Sequence, residues 1–234
     1  MTTPLIEARG LVKRYGTTEA LRGASLRLHP GEILAVSGPS GSGKSTLLHC
    51  MSGIVRPDSG EVRYADGERL DQAGEARRSA LRRTDFGVVF QFGGLVGELT
   101  ALDNVALPLL LAGTSRTAAH DSAGAWLERF GVRGQAALRP AEMSGGQVQR
   151  VALARAMATE PKAVFADEPT GALDSLAGEH VMTALTRAAR DTGTAVLLVT
   201  HDARVSAYAD REVTVRDGIV EEEPAVVGAG EATR

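Results

Sequence analysis

Cysteine occurs once in the 234 residues, at Cys50, so no internal disulfide framework is available. That usage is compatible with a reducing cytosol. Lysine is almost as scarce, at Lys13, Lys44 and Lys162, and the other basic residues are arginines. There is no basic excess: 26 Lys and Arg against 29 Asp and Glu leave a net charge of -3. The patch of positive charge that marks nucleic-acid binders is therefore not expected. No apolar run approaches the roughly 18 to 20 residues that span a bilayer. The longest, Val105 to Gly113, is short and contains Pro108. Residues 1–10 hold no apolar core of signal-peptide length. If the chain works at a membrane, something else anchors it. What remains is an ordinary globular balance, 43% hydrophobic and 24% charged, in a chain long enough to bury a core.

Neither a repeat nor a linker divides the sequence. Four short apolar runs read as buried parallel strands: Ile33 to Ser37, Phe86 to Phe90, Ala163 to Ala166 and Ala195 to Thr200. Helical patterns lie between them, from Lys44 to a capping glycine at Gly53, from Ser144 to about Thr159, and from about Ser175 to Asp191. Strands alternating with helices predict an α/β core with a mostly parallel sheet. Glu61 to Leu70 reads as a hairpin around Asp66-Gly67. With Leu5 to Tyr15 and Ser25 to Leu28 it predicts a small antiparallel β subdomain. Arg216-Asp217-Gly218 predicts a further hairpin. Leu102 to Pro140 carries no buried-strand run and predicts a helical insertion, bounded at about 92–160. Residues 1–221 form one domain in this reading, and the Glu-, Ala- and Gly-rich tail 222–234 is expected to be disordered.

Gly38-Pro39-Ser40-Gly41-Ser42-Gly43-Lys44-Ser45 fits the phosphate-loop pattern in full, with Thr46 following. Glycines let the backbone wrap so that N–H groups converge on phosphate oxygens. The next helix points its positive end at the same anion. Lys44 would reach the β- and γ-phosphates, and the Ser45 hydroxyl would ligate Mg²⁺. A GTPase would need a guanine-reading N-K-x-D, and neither Lys13 nor Lys162 stands in one.

Ligands of open α/β sheets bind outside the carboxyl ends of the strands. Here the four runs end on the phosphate loop, Gln91, Asp167-Glu168 and His201. Asp167 suits Mg²⁺, directly or through water. Glu168 is placed to polarise an attacking water, its side chain pointing away from Asp167 by strand alternation. His201 suits the γ-phosphate, and Gln91 the metal and the water. Each alone has a bland explanation; a shared edge with Lys44 gives them weight.

Ser144-Gly145-Gly146-Gln147 opens a helix on a good N-cap. Its glycines leave N–H groups open, a second anion site in outline. Taken alone, the segment reads as an ordinary capped helix.

Together, these segments resemble the ATP-binding-cassette family. Met143-Ser-Gly-Gly-Gln147 is similar to its signature. The family order is kept through Gln91, the signature, Ala166 to Thr170, Gly171 to Asp174 and Thr200-His201-Asp202, across about residues 5–220. The resemblance implies a P-loop NTPase core, ATP and Mg²⁺ as cofactors, and two cassettes sandwiching two ATP molecules. Lys44 and its loop would come from one chain, Ser144, Gly145, Gly146 and Gln147 from the other. By position Tyr15 matches the adenine-stacking residue, Asp174 the loop that crosses the dimer, and Gln91 the lever to a membrane permease. Phe90-Gln91, Leu99 to Val105 and Asp167 to Ser175 resemble the macrolide-exporter, lipoprotein-releasing and cell-division type. That type implies a cytoplasmic ATPase, peripheral on the inner face of the cell membrane, with an integral membrane permease and no nucleic acid as partner. Met143 departs from the usual leucine, Val148 from a usual polar residue, and Phe92 to Val96 lacks a customary proline. A soluble cassette ATPase of cofactor assembly stays open as the alternative. DNA-repair types would need a long coiled-coil insertion and translation types a second cassette, and the chain has neither.

Overall fold

The computed structural model describes residues 3–221 apart from Asp66 and Phe92. The expectations for the tail 222–234 and for Asp66 lie outside those residues.

The order of elements is β1 (Ile6–Tyr15), β2 (Thr18–Leu28), β3 (Ile33–Ser37), α1 (Lys44–Met51), β4 (Ser59–Tyr64), β5 (Glu68–Arg69), α2 (Glu75–Thr84), β6 (Phe86–Val89), α3 (Ala101–Leu111) and α4 (Arg116–Arg129). Then follow α5 (Gly145–Met157), β7 (Ala163–Asp167), α6 (Ser175–Thr192), β8 (Ala195–Val199), α7 (Ala203–Ser206), β9 (Arg211–Arg216) and β10 (Ile219–Glu221). Two sheets result. One has the order β10-β9-β3-β8-β7-β6, parallel throughout except for β10. The other is antiparallel, β2-β1-β4-β5.

The parallel strands are apolar on both faces because both faces are covered. Ala163, Phe165, Leu197 and Val199 pack with α1 and the antiparallel sheet. Val164, Ala166, Val196 and Leu198 pack with α3, α4, α5 and α6. Each fully buried Val, Leu or Phe contributes about 1.5–3 kcal/mol, so these strands anchor the sheet that presents the site. The segment between β6 and β7 is helical, as expected, and its core is continuous with that of the sheet.

Helix α1 ends as its glycine predicts. Gly53 is left-handed at φ 69°, Ile54 N–H donates to His49 O at 2.9 Å, and Gly53 N–H donates to Cys50 O at 3.2 Å. That is a Schellman closure. Two elements depart from expectation. β2 starts at Thr18, well before Ser25, because bulges near Gly10 and Gly23 interrupt the two-residue alternation. Helix α2 has only Arg78 and Leu81 buried, and the remaining positions give no apolar stripe to read.

Candidate functional site

The phosphate loop is shaped by its neighbours. Gly38 has φ 136°, and a Cβ there would stand 2.1 Å from Val215 O. Gly43 has φ 106°, and a Cβ would stand 2.3 Å from Ala20 O. Only glycine fits at either point. Gly218 N–H donates to Ser42 O at 2.9 Å, pinning the loop to the β9–β10 turn. Nothing in the sequence pointed to Gly218 or Ala20 as supports. Helix α1 has Gly43 as N-cap and no side-chain cap. Among the described residues, the N–H groups of Gly43, Lys44, Ser45 and Thr46 have no protein acceptor. A helix start with bare donors is built for an anion. Lys44 is buried, and its ammonium donates to Gly38 O at 2.9 Å and Pro39 O at 2.8 Å.

The facing wall comes from the ends of β6, β7 and β8. Ser45 Oγ donates to Asp167 Oδ1 at 3.1 Å. Burial pushes the Asp167 carboxyl above its ordinary value, and the adjacent Glu168 charge acts the same way; Ser45, His49 and Lys44 pull against them. Gln91 Nε2 donates to Glu168 Oε2 at 3.3 Å, and His201 Nδ1 lies 3.0 Å from Glu168 Oε1. Glu168 thus sits between two polar side chains from two neighbouring loops. Its backbone corrects the alternation expected above. Residue 168 is past the strand, at φ 45°, so a left-handed turn and not a pleat separates the two carboxylates. A Cβ at Gly171 would stand 3.1 Å from Glu168 Oε2 and 3.4 Å from Gln91 Nε2, so a glycine there leaves Glu168 room.

Gly38, Ser40, Gly41, Ser42, Gly43, Lys44, Ser45, Thr46, Gln91, Asp167, Glu168 and His201 line one cleft of about 530 Å³. The hydroxyl of Ser45 and the carboxylate of Asp167 are hard oxygen donors that could hold Mg²⁺. Among the described residues no cluster of three His, Cys, Asp or Glu forms a cage.

Other predicted residues stand apart. Tyr15 is half-exposed and outside the cleft lining, with Lys13 Nζ 5.6 Å from its ring centre. Ser144, Gly145, Gly146 and Asp174 line a separate cleft of about 240 Å³. Gln147 is engaged locally: its Oε1 accepts from Ser144 N–H at 2.9 Å, and Ser144 Oγ accepts from Gln147 N–H at 3.3 Å. This is a capping box. Asp174 caps α6 through Ala177 N–H at 2.8 Å. The two signature glycines are different in kind from Gly38 and Gly43. Neither has positive φ, and a Cβ would meet only Leu173 Cδ2 at 3.6 Å or Ala177 Cβ at 3.4 Å. Their N–H groups have no acceptor among the described residues.

A glycine loop with bare donors, feeding a helix at the carboxyl edge of a parallel sheet and faced by two carboxylates, defines a P-loop nucleoside triphosphatase. Comparison narrows the class. The ABC transporter family profile matches residues 21–171. The chain is 44% identical to the lipoprotein-releasing system ATP-binding protein LolD of Shewanella oneidensis, over 94% of this chain and 97% of that protein. It is also 44% identical to the pyoverdine export ATP-binding/permease protein PvdT of Pseudomonas syringae pv. tomato, over 94% of this chain but 34% of that longer protein. A dimeric ATP-binding cassette, MJ0796, solved in a post-hydrolysis state with ADP and Pi, superposes with TM-score 0.87 at 35% identity, covering 95% of this chain and 99% of that one. The chain belongs to the ABC transporter family and is its ATP-hydrolysing cassette. The soluble cofactor-assembly alternative has no support among these relatives. No helix among the described residues is long and apolar enough to cross a membrane.

Proposed function

We propose that residues 1–221 form one cassette that binds ATP with Mg²⁺ and closes on a second copy to drive an integral membrane permease of the lipoprotein-releasing or macrolide-exporter type. The open N–H groups of residues 43–46 and the Lys44 ammonium hold the phosphates. Ser45 and Asp167 hold the cation, which would neutralise charge building between the β- and γ-phosphates. Glu168 takes the proton of the attacking water. Gln91 and His201 keep that carboxylate aimed, and His201 also reaches the γ-phosphate. Tyr15 offers an exposed aromatic face to the adenine.

The observation that carries the two-chain reading is the pair Gly145 and Gly146. The fold of one chain does not require them, and among the described residues their N–H groups have no acceptor at a helix start that lines an open cleft. A phosphate presented by a second chain satisfies both. Asp174, on the same cleft, then lies at the junction of the two chains. A permease partner is supported by a groove of about 410 Å³ that reaches Phe90, the residue before Gln91. Phe86, Val88, Phe90, Leu107 and Leu111 line it, and Phe90 and Leu111 are exposed. Residence at the cytoplasmic face of the cell membrane follows from such a partner.

Glu168→Gln is the direct test. ATP binding is retained, turnover falls at least about a thousandfold, and ATP drives the chain into a dimer that gel filtration resolves. Wild-type turnover in this variant would end the assignment of Glu168 as base.

A further inference from the structure

One basic side chain outside the cleft is placed as no surface residue needs to be. Arg155 lies on α5, partly buried, and no carboxylate among the described residues pairs with it. Its Nη1 donates to Gly94 O at 2.9 Å and its Nη2 to Gly93 O at 3.0 Å. Burial lowers its pKa from the ordinary guanidinium value, so the environment opposes the charge that these carbonyls hold. A partly buried guanidinium held by two backbone carbonyls and by no carboxylate ties those carbonyls to its own position.

Those partners belong to the loop that carries Gln91. Gly93 and Gly94 both have left-handed backbone, at φ 72° and 59°, which turns their carbonyls toward α5. A Cβ on Gly93 would press on Val148 Cγ1 at 3.1 Å, so the loop also rests on the helix itself. The other end of α5 is Ser144-Gly145-Gly146, about 15 Å away along ten helical residues. Beside Arg155 the helix approaches β6 closely: a Cβ at Gly87 would stand 2.3 Å from Ala156 O.

The geometry points to Arg155 as a positioning residue that makes the Gln91 loop move with the helix whose start faces the second chain. This rests on the proposed two-chain site and adds a route between its halves. Docking at Ser144 to Gly146 shifts α5, Arg155 carries the shift to Gly93 and Gly94, and Gln91 changes its grip on Glu168. An ATP bound in one site thereby adjusts the general base of the other.

Arg155→Met keeps the apolar stem and removes both donors; Arg155→Lys keeps the charge and reaches one carbonyl. In the full chain, Arg155→Met should lower kcat about tenfold with KM within about twofold, because a misplaced base slows chemistry without loosening nucleotide. Amide exchange of a peptide spanning residues 90–96 should rise, while melting and exchange of the parallel sheet stay as in wild type. Lys should restore kcat in part and fall between the two. If Met fails to fold, Lys against wild type carries the same comparison. Wild-type kcat and wild-type exchange of residues 90–96 in a folded variant would overturn the positioning role. The two readings separate cleanly: wild-type turnover in Glu168→Gln sinks the site, whereas a dead Glu168→Gln beside an active Arg155→Met sinks only this route.

Discussion

Two glycine-rich segments open two helices in this chain, and they are glycine-rich for different reasons. At Gly38 and Gly43 the chain itself demands glycine: positive φ and a backbone carbonyl closer than any Cβ allows. At Gly145 and Gly146 the chain makes no such demand, since φ is ordinary and a methyl group would find normal contacts. Helix α1 starts with no side-chain cap and bare donors, whereas α5 starts with a full capping box that satisfies Gln147 and leaves the two glycine N–H groups over. The first segment is a finished half-site. The second is stable and unfinished, and it faces a different cleft. A glycine that the fold does not need points to something approaching from outside.

The comparison breaks most visibly at Gly38. Gly38→Ala should cost roughly 3 kcal/mol or more in denaturant unfolding and abolish nucleotide binding together, since Val215 O occupies the space. Gly145→Ala is the control: stability should stay within about 0.5 kcal/mol of wild type while turnover falls. Equal destabilisation by the two would erase the distinction drawn here. Next in size is Ser144→Arg. It loses the N-cap, about 1 kcal/mol, keeps fluorescent-nucleotide binding by the monomer, and lowers ATPase activity at least about a hundredfold by blocking closure. Full activity would refute a shared site.

The smallest effect sharpens the first cleft alone. Burial raises the Asp167 pKa, so folding opposes its ionisation. The cost appears as pH rises through the ordinary Asp value and is complete above the raised folded value. Asp167→Asn should therefore melt slightly higher than wild type at pH 7 without nucleotide, and the two should converge as pH falls below the ordinary Asp range. The same variant should lose the extra stabilisation that Mg²⁺ with ATP gives wild type. A lower melting temperature at pH 7 would contradict burial as the dominant cause.

Most of the first cleft was legible because each strand run ends on the residue that lines it. Lys44, Gln91, Asp167, Glu168 and His201 are separated by up to 157 positions in sequence, yet parallel strands deliver all of them to one edge. Local spacing sufficed because the connections are regular. The supports were not legible. Gly218 braces Ser42, and Arg155 grips Gly93 and Gly94, through contacts between distant segments that leave no periodicity. The strand alternation invoked for Glu168 failed because the strand had already ended in a left-handed turn. The bulged start of β2 and the arginine-rich α2 were missed because neither shows a clean apolar period.

The central claim is that one active site needs Lys44 from one chain and Ser144 from the other. Mixing two inactive variants, Lys44→Ala and Ser144→Arg, tests it most directly. A pair formed from one of each rebuilds one complete site, with Lys44 from the Ser144→Arg chain and Ser144 from the Lys44→Ala chain. Random pairing should restore at most roughly a quarter of wild-type ATPase activity, since half the dimers carry one good site of two and that site has a dead neighbour. Activity that stays at the level of either variant alone would contradict the two-chain site.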